Sequence, residues 1–89
     1  MNIRIDTEAK ALYLEFRHDK VDRTVEFAPE TFVDLDNRGR LLGVELLNPG
    51  TLEVNIRQIA KRYTLPGIDN KNVRQEIRKA CELLTRELA

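Results

Sequence analysis

The stretch Thr31-Phe-Val-Asp-Leu-Asp-Asn-Arg-Gly-Arg-Leu-Leu-Gly-Val-Glu-Leu-Leu47 decides the fold of the first half of this chain. Two alternating apolar runs flank Asp36-Asn37-Arg38-Gly39. That pattern specifies a tight β-hairpin in which Gly39 supplies the residue at positive φ. Working outward, the same period of two recurs. Ile3 and Ile5 alternate with Asn2 and Arg4, and Leu12, Leu14 and Phe16 with Tyr13 and Glu15. Val25 and Phe27 flank Glu26, Val33 and Leu35 flank Asp34, and Leu42, Val44 and Leu46 flank Gly43 and Glu45. The reading is about five short strands, separated by turn-forming stretches at Asp6–Lys10, Arg17–Asp22, Ala28–Glu30 and Asn37–Gly39. Connections this short favour antiparallel neighbours, so the expected sheet is an antiparallel meander.

One face of that sheet collects Ile3, Ile5, Leu12, Leu14, Phe16, Val25, Phe27, Val33, Leu35, Leu42, Val44 and Leu46. It must be covered, because each large apolar side chain left in water forgoes about 1.5–3 kcal/mol. The opposite face is mixed: Thr24, Glu26, Asp34 and Glu45 stand beside Tyr13, Phe32, Leu41 and Leu47. Tyr13, Phe32 and Leu41 would form a patch suited to a partner if they lie together. Gly43 interrupts an otherwise side-chain-rich strand, which marks a bulge or a bulky neighbour pressing on the backbone. Tyr13 or Phe32 on the same face is the natural neighbour.

Asn48-Pro49-Gly50 breaks the alternation, and from Thr51 the period lengthens. Thr51 can cap a helix in which Leu52, Ile56, Ile59 and Tyr63 share one side, until Pro66-Gly67 stops it. Asp69 or Asn70 can cap a second helix carrying Val73, Ile77, Ala80, Cys81, Leu84 and Leu88 as a stripe. The expected architecture is α+β in a single domain over 1–89. An antiparallel β-meander over 1–48 is followed by two C-terminal helices in 51–89, packed on the apolar face.

At 89 residues, such a domain is near the size at which one core only just outweighs chain entropy, and association with a copy or partner is a common source of added stability. The composition, 42% hydrophobic and 34% charged with a net charge of zero, is that of a globular protein rather than a disordered one. The charge is unevenly spread, however. Residues 1–50 carry 7 Lys/Arg against 10 Asp/Glu (−3), and residues 51–89 carry 8 against 5 (+3). This is far from the dense basic stripe of a dedicated nucleic-acid binder. A single cysteine excludes an internal disulfide. The N-terminal residues lack the apolar core of a signal peptide, and no apolar run approaches the roughly 20 residues that span a bilayer. The expectation is a cytoplasmic protein with no membrane contact.

Candidate chemistry is sparse. Asp34, Asp36, Arg38, Gly39 and Glu45 mimic positions 1, 3, 5, 6 and 12 of an EF-hand loop, with Leu41 at the apolar eighth position. Calcium requires oxygen ligands at 1, 3 and 5, and Arg38 is a cation flanked by strands rather than helices, so the hairpin reading prevails. Asp34 and Glu45 could be imagined as an acid–base pair, but no nucleophile or pocket signature accompanies them. His18 lies in a polar turn without further ligands, and Cys81 falls on the apolar stripe away from any group that would stabilise a thiolate. Gly-rich phosphate loops, CxxC pairs and serine elbows are absent, and the chain contains no serine. No catalytic residue, metal or cofactor is implied.

The helical half has the rhythm of a small helix–turn–helix unit. Arg57, Lys61 and Arg62 lie near the end of the first helix, and Arg74 and Arg78 lie along the second, beside Lys71 and Lys79. These cations could meet phosphates. Against this, Glu76 and Glu82 are interleaved with them, Arg78 to Glu82 is an ion-pair spacing, and basic residues near a helix C-terminus favour the helix dipole without a ligand.

The first fifty residues resemble a family of small, mostly bacterial proteins known as domain of unknown function 2283. The residues that carry the resemblance are Ile5-Asp6-Thr7-Glu8-Ala9-Lys10-Ala11-Leu12-Tyr13-Leu14 and the hairpin from Val33-Asp34-Leu35-Asp36 through Gly43-Val44-Glu45. Members usually carry a glycine after the proline that precedes the Val-Asp strand, where this chain has Glu30. They often carry an acidic residue where it has Arg38. The resemblance implies a sheet-forming prokaryotic protein with no assigned activity and no catalytic residues to carry over. Small proteins of this kind are sometimes partners in two-gene systems, antitoxins included. The leading expectation is a non-enzymatic interaction or homo-oligomerisation module, a homodimer or the partner of a small protein. It would use Tyr13, Phe32 and Leu41 or the last helix. The alternative is a nucleic-acid-binding or antitoxin-like regulator using the basic helices.

Overall fold

The computed structural model describes residues 2–6, 8–48, 52–68 and 70–88. The expected breaker Pro49-Gly50 and the expected caps Thr51 and Asp69 lie outside the described residues, as do the side chains of Leu52 and Leu88. Five strands are followed by two helices. The strands are β1 (Asn2–Asp6), β2 (Ala11–Glu15), β3 (Arg23–Ala28), β4 (Thr31–Leu35) and β5 (Leu41–Leu46), and the helices are α1 (Leu52–Arg62) and α2 (Lys71–Leu88). All strand pairs are antiparallel, and the α+β architecture is the one the sequence implies.

The strand order corrects the expected meander. It runs β1-β2-β5-β4-β3, so β5 is inserted between β2 and β4, and strands β2 to β5 trace a Greek key. The reason lies in the strands' apolar content. β5 is buried at five of its six positions and gains most from the centre of the sheet, whereas Arg23 to Glu26 of β3 are all exposed and suit an edge. The link from β2 to β3 crosses the end of the sheet and is tied down on the way. The Phe16 and Arg17 amides donate to the Leu42 carbonyl, and the Asp22 amide donates to that of Leu35.

Local chemistry shapes each hairpin. The Asp6 carboxylate accepts from the Glu8 and Ala9 amides in the β1–β2 turn. Pro29 and Glu30 form the two-residue link between Ala28 and Thr31, with Glu30 at φ 59°. A proline followed by a residue at positive φ is the arrangement of a type II turn, which favours glycine second. The β4–β5 turn is the expected one, with Gly39 at φ 78°. Asp36 organises it: its carboxylate accepts from the Arg38 and Arg40 amides and from Arg40 Nε at 2.7 Å.

A bulge changes the facing of β5. Asp34 pairs with Gly43 but Leu35 pairs with Leu41, leaving Leu42 as an extra residue. The bulge reverses the parity of the strand, so Leu41 joins the core with Leu35 instead of the mixed face. Leu42 is buried as well.

The helices supply Ile59, Ile77, Ala80 and Leu84 to a core built with Leu12, Leu14, Val33, Val44 and Leu46. Ile56, Tyr63, Val73 and Cys81 pack around its rim, so Cys81 is half-buried rather than enclosed. α2 lies over β1 and β2. Asn55 of α1 donates from Nδ2 to Thr31 Oγ1 at 2.7 Å, a buried polar link between helix and sheet. Asn70 caps α2, its side-chain oxygen accepting from the Asn72 amide.

Candidate functional site

The face of the sheet opposite the core presents two lateral rows. One runs Arg4, Tyr13, Glu45, Phe32, Glu26 and the next Asn2, Glu15, Gly43, Asp34, Thr24, each following the strand register. Tyr13 and Phe32 therefore flank Glu45, as the sequence suggested for these two aromatics. Leu41, the third member of the expected patch, is on the other side of the sheet in the core, for the reason of parity given above.

Tyr13 leans from its own row into the next. A Cβ built on Gly43 would fall 2.5 Å from Tyr13 Cζ and 2.9 Å from Cε1, so the ring occupies the space that a side chain at 43 would need. Across that glycine the Tyr13 hydroxyl donates to Asp34 Oδ2 at 2.7 Å. Thr24 Oγ1 donates to the other oxygen, Oδ1, at 2.5 Å. The Arg4 guanidinium stacks over the Tyr13 ring at 4.6 Å and also approaches Glu15 at 3.7 Å. Burial, reinforced by the hydrogen bond to Asp34, raises the Tyr13 phenol above its ordinary pKa, so it stays protonated through neutral pH.

This network engages the Asp34 carboxylate fully. Both Asp34 oxygens accept protein donors and tie three strands together through Tyr13 and Thr24. Asp36 is likewise engaged by its own turn. Desolvation pushes its carboxyl up, but the Arg40 amide, the Arg40 side chain and the Arg38 amide outweigh that and hold it below the usual carboxylate value. The residues of the EF-hand mimic thus serve the hairpin and the open face, and among the described residues no group of three or more His, Cys, Asp or Glu side chains could hold a metal. His18 is an exposed loop residue whose Nδ1 lies 3.4 Å from Glu15 Oε2. A shallow concavity of about 190 Å³ lies between the β2–β3 link and the β4–β5 turn, lined by Asp19, Lys20, Asp22, Asp36 and Asn37.

The basic residues of the helices whose side chains are described are exposed, but they are not arrayed as a helix–turn–helix. Residues 63–70 separate α1 from α2, twice the usual three- or four-residue turn, and Leu65 within them is buried in the core. Arg74 Nε donates to the Ile68 carbonyl, which commits that side chain to holding the link. Arg62 lies 5.7 Å from the centre of the Tyr63 ring. Arg57, Lys61, Lys71, Arg78 and Lys79 are exposed as well.

Comparison with known proteins agrees with the hairpin grammar. Residues 2–48, more than half of the chain and the whole sheet, match the model of the family described as "Protein of unknown function (DUF2283)". The chain belongs to the DUF2283 family. No curated protein and no solved structure matches it. The DUF2283 match ends just after β5, so both helices lie beyond it. Glu30 and Arg38 both sit in hairpin turns. Among the described residues no helix is long and apolar enough to cross a membrane.

One feature escaped the sequence reading. Val25 belongs by register to the core face, opposite Val33, yet it is 38% exposed, and nearby Val21 is 45% exposed. The periodicity of β3 places Val25 on that face but contains no sign that the strand is an edge.

Proposed function

We propose that this DUF2283 chain is a non-enzymatic interaction module that associates with a second copy of itself. The observation that carries this reading is the exposure of Val21 and Val25 at the β3 side of the sheet, whereas α2 lies over β1 and β2 at the far side. Apolar side chains on the core face of a sheet edge are what a partner would cover, and a chain of this size gains stability by such burial. The open face supports the non-enzymatic part of this reading, because Tyr13, Thr24 and Asp34 at its centre are engaged in cross-strand hydrogen bonds. Sedimentation equilibrium of the full chain tests this: a concentration-dependent dimer is expected, and a monomer at every accessible concentration overturns it.

A further inference from the structure

We propose that the partner surface is the β3 edge itself, paired antiparallel with β3 of a second copy about a two-fold axis at Val25, so that two sheets join as one of ten strands. This rests on the self-association reading above and specifies its interface.

The edge is the starting point. Among the described residues β3 is hydrogen-bonded to β4 on one side and forms the outer strand on the other. An outer strand offers a row of backbone donors and acceptors to any strand that can align with it. The opposite edge, β1, has less to gain from a partner: Ile3 and Ile5 already pack against the core and α2 lies over that strand.

Charge then selects the register. A two-fold axis perpendicular to the sheet keeps each residue on its own face, so opposed residues must differ by an even number of positions. Centring on Val25 opposes Val25 with Val25, Thr24 with Glu26, and Arg23 with Phe27, with no like charges directly across. Centring on Thr24 brings Asp22 against Glu26, and centring on Glu26 opposes that carboxylate with its own copy. Centring on Arg23 does the same for the guanidinium. Like charges directly opposite destabilise a strand pair. Centring on Phe27 would run the pairing into the irregularity between Glu26 and Ala28. The Val25 register meets that irregularity only at its outermost Arg23–Phe27 pairs and covers the exposed valine with its own copy.

The geometry makes the register testable by disulfide trapping. Directly opposed residues have Cβ atoms close enough to bridge, while those offset by two positions lie on the longer diagonal. In a Cys81→Ser background of the full chain, Val25→Cys is expected to form a disulfide-linked dimer on mild oxidation far faster than Thr24→Cys or Glu26→Cys. Val25→Lys is expected to lose the dimer in sedimentation while keeping the wild-type circular dichroism spectrum. If the wild type is a monomer, self-association itself fails. If the wild type is a dimer but Val25→Cys does not link faster than its neighbours, this interface is wrong while self-association stands. The cysteine series decides the matter even if Val25→Lys does not fold.

Discussion

The ring of Tyr13 on β2 fills the space over the Gly43 backbone on β5 and reaches past it to Asp34 on β4. Residues 21 positions apart, on β2 and β4, are joined across β5 by one side chain, and this is possible only because residue 43 has no Cβ. The contact explains why a glycine is tolerated in the most buried strand of the sheet, where it would otherwise weaken packing.

Gly43→Val should therefore be strongly destabilising. Forcing the ring aside has the energetics of overpacking, about 1–3 kcal/mol, together with loss of the hydrogen bond to Asp34. Urea denaturation measures it. Pairing Gly43→Val with Tyr13→Ala should recover part of the loss, since the two residues compete for one volume. A loss below about 0.5 kcal/mol, the range of an ordinary surface change, would show that the ring yields freely.

Tyr13→Phe isolates the hydroxyl. The ring stays over Gly43, and a loss of about 1–2 kcal/mol is expected from a hydrogen bond to a carboxylate. The pH dependence has a definite sign. The folded phenol titrates above its unfolded value near 10, so its contribution is complete below that pH and is lost as pH rises beyond it. The wild type should weaken above about pH 10 more steeply than Tyr13→Phe, as read from urea midpoints on either side of that value.

Asp36 has the opposite sign. Its carboxyl is depressed in the folded state by the Arg40 and Arg38 donors, so it stabilises above the unfolded value near 3.8 and the benefit disappears as the solution becomes more acidic. Asp36→Asn should lower the thermal midpoint at neutral pH, and the gap to the wild type should close on titration well below pH 3.8. A gap of constant size across that range would assign the effect to turn shape rather than charge.

Glu30 offers a stabilising change. It adopts φ 59° in the Pro29-Glu30 turn, a region that costs a residue with a Cβ about 1–2 kcal/mol. Glu30→Gly removes that strain but makes the unfolded chain more flexible, which returns about 0.4–1 kcal/mol. A net gain of about 0.5–1 kcal/mol in denaturant unfolding is expected.

The open face was only partly legible in the sequence. Tyr13 and Phe32 are assigned to it correctly because alternation within an unbroken strand is a local property. Leu41 is not, because the bulge at Leu42 depends on how β4 and the β2–β3 link meet β5. The Tyr13–Asp34 hydrogen bond joins residues 21 positions apart and leaves only Gly43 as its trace in the sequence. Arg74 shows the same limit: its spacing along α2 marks it as an exposed cation, while its hydrogen bond to the Ile68 carbonyl depends on how residues 63–70 fold back on the helix.

The sequence alone determined the kinds of element and their turns: strand alternation, the Asp36–Gly39 hairpin and the apolar stripes of both helices. Each is set by neighbours a few positions away, through backbone sterics and side-chain spacing. The tertiary structure alone decided the order of the strands, the burial of Leu41 and the exposure of Val25. Those depend on which strand gains most from the centre of the sheet, and that competition is settled between segments far apart along the chain.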